Sequence, residues 1–114
     1  FLLGSLDSRQ VTDFVCYDEL DPTCYDTGII VFRSYGYAPL WDLCAKKGLS
    51  VIADVHTHPS RWTGQSNADK DHPMIVQRGH ISLIVPRYAS GNTRSLKGVG
   101  TPMIMPWNGW VILN

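Results

Sequence analysis

Residues 49–59 read Leu49-Ser50-Val51-Ile52-Ala53-Asp54-Val55-His56-Thr57-His58-Pro59. Val51, Ile52 and Val55 make 49–56 the strongest strand signal in the chain, because branched side chains suit a pleated surface. The residues just before it predict a helix: Tyr37, Leu40, Trp41 and Cys44 recur at helical spacing. Pro39 suits a first turn, Lys46 and Lys47 suit a last turn at the negative end of the helix dipole, and Gly48 suits the position just past it. The predicted helix therefore runs from about Ala38 to Lys47 and leads into the strand.

Towards the start of the chain, Phe1 to Leu6 reads as an apolar strand and Asp7-Ser8-Arg9-Gln10 as a polar turn. Val11 to Asp18, rich in strand formers, reads as a second strand closing a hairpin. Asp21-Pro22-Thr23 breaks it, and Ile29 to Phe32 is a short apolar run, strand or buried turn. Beyond the histidines, Pro59 to Gln65 reads as a loop and Ser66 to Asp71 as a short helix closed off by Pro73. His80 to Val85 is a further strand and Arg87 to Lys97 a polar loop. Gly98 to Met105 and Gly109 to Leu113 are the last predicted strands, joined by a turn at Trp107-Asn108-Gly109. Strands able to pair antiparallel, with at least one helix between them, predict an α/β or α+β fold.

The 114 residues fit one domain with one modest core. Ten basic and ten acidic side chains leave no formal net charge, and with no basic stripe the sequence implies no nucleic-acid partner. It has no run of about eighteen apolar residues, so it implies no membrane partner either. Cys16, Cys24 and Cys44 are odd in number and lack a CxxC spacing, which argues against a disulfide framework or a cysteine-rich zinc site. Small buried hydrophobes in a reducing cytoplasm are their ordinary reading, with a Cys16–Cys24 pair left open, and the expected location is cytoplasmic. Phe1-Leu2-Leu3-Gly4 has no initiator methionine, basic n-region or cleavage pattern. It reads as a strand entered midway, so further residues are expected upstream of Phe1.

The chemistry concentrates on Asp54-Val55-His56-Thr57-His58-Pro59 and, after it, Ser66-Asn67-Ala68-Asp69. His56 and His58 stand two apart at the strand end, where side chains point to one face, so both imidazoles can converge on one point. Zinc favours imidazole nitrogens with a carboxylate as third ligand and an open fourth position. Asp69 supplies that carboxylate if the loop from Pro59 folds back. Water bound to such a zinc has a pKa near about 7, which makes hydroxide available at neutral pH. Each part also has an ordinary reading. Ser66-Asn67-Ala68-Asp69 is a capping-box-like helix start with Ser66 as N-cap, and two histidines can alternate on a strand incidentally. The readings are compatible, since a capped helix can fix Asp69 while Ser66 reaches the reacting centre.

Taken together, His-x-His-Pro, the seven residues from Pro59 to Gln65, and Ser-x-x-Asp form one specific pattern. It resembles the JAMM motif of the JAB/MPN metallopeptidase family, including the proline after the second histidine. Gly79-His80-Ile81-Ser82-Leu83-Ile84-Val85-Pro86 is similar to a stretch of the small prokaryotic JAB domains. The resemblance covers most of the chain and is weakest from Pro22 to Tyr37 and after Arg87. It implies a cytidine-deaminase-like fold with a central mixed sheet flanked by helices. It implies one zinc per chain on His56, His58 and Asp69, with Ser66 stabilising the oxyanion of a tetrahedral intermediate. It also implies a substrate: a ubiquitin-like protein or its conjugate, whose extended C-terminal tail could add as a strand beside an exposed sheet edge. The prokaryotic character points towards a bacterial ubiquitin-like conjugation system in antiviral defence.

The family uses a glutamate as general base, a few residues before its first, glycine-ended strand. That position is expected upstream of Phe1. The chain's one glutamate, Glu19, reads as a solvated turn residue and is not given the role. The alternative is a non-catalytic JAB/MPN-like binding module for a ubiquitin-like protein or partner subunit. Asp54, two residues before His56, is either a carboxylate that orients a ligand histidine or a strand-end aspartate bonded to backbone. Trp62 either borders the cleft or packs ordinarily; His72 reads as a helix-end residue and His80 as structural or solvent-facing.

Overall fold

The computed structural model describes residues 1–107 and 109–113. Asn108, in the predicted turn at Trp107-Asn108-Gly109, lies outside the described residues. The chain divides into two compact units, Phe1–Ile52 and Ala53–Asn114.

In the first unit, β1 (Leu2–Gly4) and β2 (Val11–Phe14) form the predicted antiparallel hairpin, with Leu2 opposite Phe14. A Cβ on Gly4 would lie 1.9 Å from the Gln10 carbonyl oxygen, so the closing turn admits only glycine there. The second strand ends at Phe14 rather than Asp18, because α1 (Tyr17–Leu20) begins. The Glu19 carboxylate accepts the Cys16 N–H at 2.7 Å, and the Glu19 N–H donates to the Cys16 carbonyl at 3.2 Å. That reciprocal pair closes a helical turn in place of the expected strand.

α2 spans Ser34–Lys47, beginning before the expected Ala38, so Pro39 stands inside the helix instead of in its first turn. There it removes one backbone donor. Aromatic packing favours the longer helix. The Phe32 ring meets Tyr37 at 4.8 Å between centroids, and Gly36 leaves room for it, since a Cβ there would lie 2.6 Å from the ring. The other end is as read from the sequence: Lys46 and Lys47 occupy the last turn and Gly48 adopts a left-handed φ of 64°. Ile29 to Phe32 is neither strand nor helix.

Phe1, Leu3, Val15, Tyr17, Cys24, Leu40 and Cys44 form the buried apolar set of this unit. Asp21 is buried among them. Its carboxylate accepts the Arg33 N–H at 2.8 Å, the Thr23 N–H at 3.0 Å and the Thr23 hydroxyl at 2.7 Å. Burial pushes this carboxyl up, but these donors together outweigh it and bring its pKa down to about 2. The three cysteines are free thiols. Cys24 and Cys44 are buried, which raises both thiol pKa values, whereas Cys16 is exposed, contrary to the expectation of three buried hydrophobes.

β3 (Ser50–Thr57) runs into the second unit and pairs in parallel with β4 (Ile81–Val85): Asp54 lies opposite Ser82, His56 opposite Ile84 and Thr57 opposite Val85. A parallel pair needs a long crossover, here the loop after His58 followed by α3 (Asn67–Asp71). β5 (Pro102–Ile104) pairs antiparallel with β4, and β6 (Trp110–Ile112) with β5. The sheet of this unit is therefore mixed, and the chain is a mixed α+β protein. Among the described residues, no helix is long and apolar enough to cross a membrane.

Between β4 and β5, Arg87, Tyr88 and Ala89 adopt left-handed φ values of 54°, 51° and 60° in succession. Left-handed backbone costs a non-glycine residue about 1–2 kcal/mol each. Two backbone bonds help offset that cost. The Arg87 N–H donates to the Ser60 carbonyl and the Tyr88 N–H to the His58 carbonyl, each at 2.9 Å. The strained turn is thus fastened to the end of the histidine strand.

Candidate metal centre

The parallel pairing puts His56 on the sheet face at the end of β3. His58 comes one residue past the strand, its N–H donating to the Val85 carbonyl at 2.9 Å. α3 brings the third group. Ser66 caps this helix: its hydroxyl accepts the Asp69 N–H at 3.1 Å, and the Asp69 carboxylate accepts the Ser66 N–H at 2.8 Å. The capping box read from the sequence therefore forms, and it fixes the direction of the Asp69 side chain.

The structure brings His56, His58 and Asp69 together, with one ligand atom of each lying within 4.8 Å of the others. His56 Nε2 is 3.1 Å from Asp69 Oδ1, His58 Nε2 is 3.1 Å from Asp69 Oδ2, and the two Nε2 atoms are 3.3 Å apart. The three side chains are 11%, 10% and 17% exposed, largely shielded from bulk solvent.

The proton on His58 can be placed. Its Nδ1 is 3.1 Å from the Trp62 carbonyl oxygen, which only accepts, so Nδ1 donates. In the neutral ring that tautomer leaves Nε2 unprotonated, facing the carboxylate and His56. Two imidazole nitrogens with one carboxylate are a donor set suited to a divalent metal. The Trp62 ring stacks on His58 at 5.5 Å and 17°, which fixes the imidazole plane. Asp69 is tuned in the same sense. Burial pushes its carboxyl up, but hydrogen bonds from the Ser66 N–H and hydroxyl, and the positive charge of the two imidazoles when they are protonated, outweigh it, so the carboxyl is held below its ordinary range.

Asp54 is not the group that orients a ligand. It is buried, accepting His80 Nε2 at 2.6 Å and the Ser82 hydroxyl at 3.0 Å. That pins β3 to β4 directly beneath the histidines. His80 is accordingly buried and structural, and His72 closes α3 as expected. The orienting group for His58 is instead the Trp62 backbone carbonyl, which no residue identity could reveal. Glu19 is engaged at the start of α1. Among the described residues, the group that could hold a metal contains one carboxylate, Asp69.

No family model matches the chain, and no solved structure matches it.

Proposed function

We propose that this chain is a zinc-dependent peptidase or isopeptidase of the JAMM type, with the JAB/MPN fold that reading implies. The observation that carries it is the convergence of His56, His58 and Asp69 at the H-x-H and S-x-x-D spacing, with the His58 Nε2 lone pair turned inward. His56, His58 and Asp69 would hold the zinc, which would supply Lewis acidity towards a carbonyl and towards water. The protein's own groups do the rest. The Trp62 carbonyl keeps His58 in the ligating tautomer, and the Ser66 N–H keeps Asp69 ionised. The Ser66 oxygen accepts the Asp69 N–H, and in this reading its O–H turns from the Asp69 carboxylate to the negative charge developing on a substrate carbonyl.

The substrate in this reading is the C-terminal tail of a ubiquitin-like protein, cut from its conjugate or precursor, within a bacterial conjugation system serving antiviral defence. The setting is a reducing cytoplasm, which the three free thiols support. Among the described residues, the group at the metal centre offers no general base beyond the three proposed ligands. A second reading stems from that: a zinc-holding binding module without turnover. Zinc content of the purified chain, then mass spectrometry of ubiquitin-like fusions with and without chelator, tests both. The expected result is about one zinc per chain, chelator-sensitive cleavage, and loss of metal in Asp69→Ala. Full zinc in Asp69→Ala would refute the ligand set, and zinc without cleavage would favour the module.

A further inference from the structure

A groove of about 460 Å³ opens beside the loop that carries Trp62. That volume falls within the roughly 300–1,000 Å³ of pockets that enclose small ligands. Its walls are Arg61 of that loop and residues of segment 85–99. Val85, Leu96 and Val99 give it apolar surface, and Arg87 and Lys97 add positive charge. The groove is joined to the metal centre through the backbone: Val85 pairs with Thr57, the residue between the two histidines, and the strained turn carrying Arg87 bonds to the carbonyls of His58 and Ser60.

Its charge is a local concentration. The whole chain balances ten basic against ten acidic residues, yet Arg61, Arg87 and Lys97 line the groove with no carboxylate among its lining residues. Among the described residues, none of the three forms an ion pair; the Arg and Lys pairs are Arg33–Asp21 and Lys47–Asp13. The lining also lacks aromatic rings, which single-stranded nucleic acids use as stacking platforms. Cations alternating with aliphatic surface suit a polypeptide that alternates acidic and aliphatic side chains.

We infer that this groove binds an acidic segment of the substrate polypeptide, next to the bond presented to the metal centre. The inference rests on the peptidase reading for its position and on the groove itself for its binding. Each exposed charge pair is worth a few-fold in affinity at most, so three together are expected to give about tenfold.

The test is fluorescence anisotropy on the full chain with a labelled hexapeptide alternating leucine and glutamate, against its leucine–lysine counterpart. The acidic peptide is expected to bind about tenfold more tightly. Raising salt from about 0.05 M to about 0.5 M should remove most of that advantage. The double variant Arg87→Glu with Lys97→Glu should invert the preference, with its fold checked by circular dichroism. Equal binding of the two peptides, a salt-insensitive preference or an unchanged preference in the variant would overturn the inference. So would tighter binding of a single-stranded oligonucleotide of similar charge. Asp69→Ala separates this inference from the peptidase reading, because no metal ligand lines the groove. The acidic peptide should bind that variant as tightly as the parent. Acidic preference without any cleavage would leave the groove standing and remove the peptidase; cleavage without acidic preference would do the reverse.

Discussion

Gly100 lies across from Ile84 of β4, exchanging backbone bonds with it at 2.8 and 3.0 Å. A Cβ at this position would stand 1.9 Å from the Thr63 carbonyl oxygen, whereas ordinary contact begins at 3.4 Å, so Gly100→Ala must move the loop by about 1.5 Å, the difference of the two. The neighbouring Trp62 carbonyl holds His58 Nδ1 at 3.1 Å, and a displacement of that size breaks the bond. Loss of such a supporting contact lowers metal affinity by about 10–100-fold, equivalent to about 1.4–2.8 kcal/mol. The overpacked strand should also lose about 1–3 kcal/mol of stability. Competition with a chromophoric chelator measures the first effect, and thermal unfolding the second. Gly98→Ala is the control. Gly98 has a φ of +82° and open space where the Cβ would go, so alanine there strains the backbone by about 1–2 kcal/mol without touching the loop. Zinc affinity of Gly100→Ala within twofold of the parent, or an equal loss in Gly98→Ala, would refute the claim that this loop orients His58.

Ser66→Ala should retain zinc, lose about 1 kcal/mol from the helix cap, and slow turnover by roughly a hundredfold; an unchanged rate would reduce Ser66 to a cap. Asp21 has a folded pKa of about 2 against an ordinary 3.8. Its contribution to stability is therefore full above 3.8 and lost as pH falls through about 2. Asp21→Asn should accordingly be less stable than the parent at neutral pH and converge with it near pH 2 in acid-unfolding curves. Tyr88→Gly should stabilise the protein by roughly 0.5–1 kcal/mol, because relief of about 1–2 kcal/mol of left-handed strain exceeds the added freedom of glycine in the unfolded chain; an unchanged or lower melting temperature would contradict the strain.

The sequence made the β3 strand, the end of α2 at Gly48 and the Ser66 capping box legible, because each depends on neighbours within a few residues. It misplaced features decided at longer range. Pro39 signals a helix start by local preference, but the Phe32–Tyr37 contact and the room at Gly36 draw the helix back to Ser34. Asp54 points to the histidines by strand periodicity, yet its partners arrive on β4 and just before it, at Ser82 and His80. The spacing of His56, His58 and Asp69 could be read directly. The Trp62 carbonyl and the left-handed turn at Arg87–Ala89 could not, since one is a backbone atom and the other uses none of the glycines that announce such a turn. The segment after Arg87, polar in sequence and legible there only as a loop, becomes the groove wall once that turn folds it back.

The three candidate ligands also sit close together along the chain, from position 56 to position 69. Bringing ends about thirteen residues apart together has a loop-closure cost of only about 2 kcal/mol. Structural zinc sites bind with roughly 10–16 kcal/mol, so capture of the ion does not have to wait for distant parts of the chain to assemble. Contacts this local carry little of the closure entropy that slows the formation of non-local ones. A metal acquired before those form would act as a template for the β3–α3 segment during synthesis, and chelation would then hinder refolding more than it loosens the finished protein.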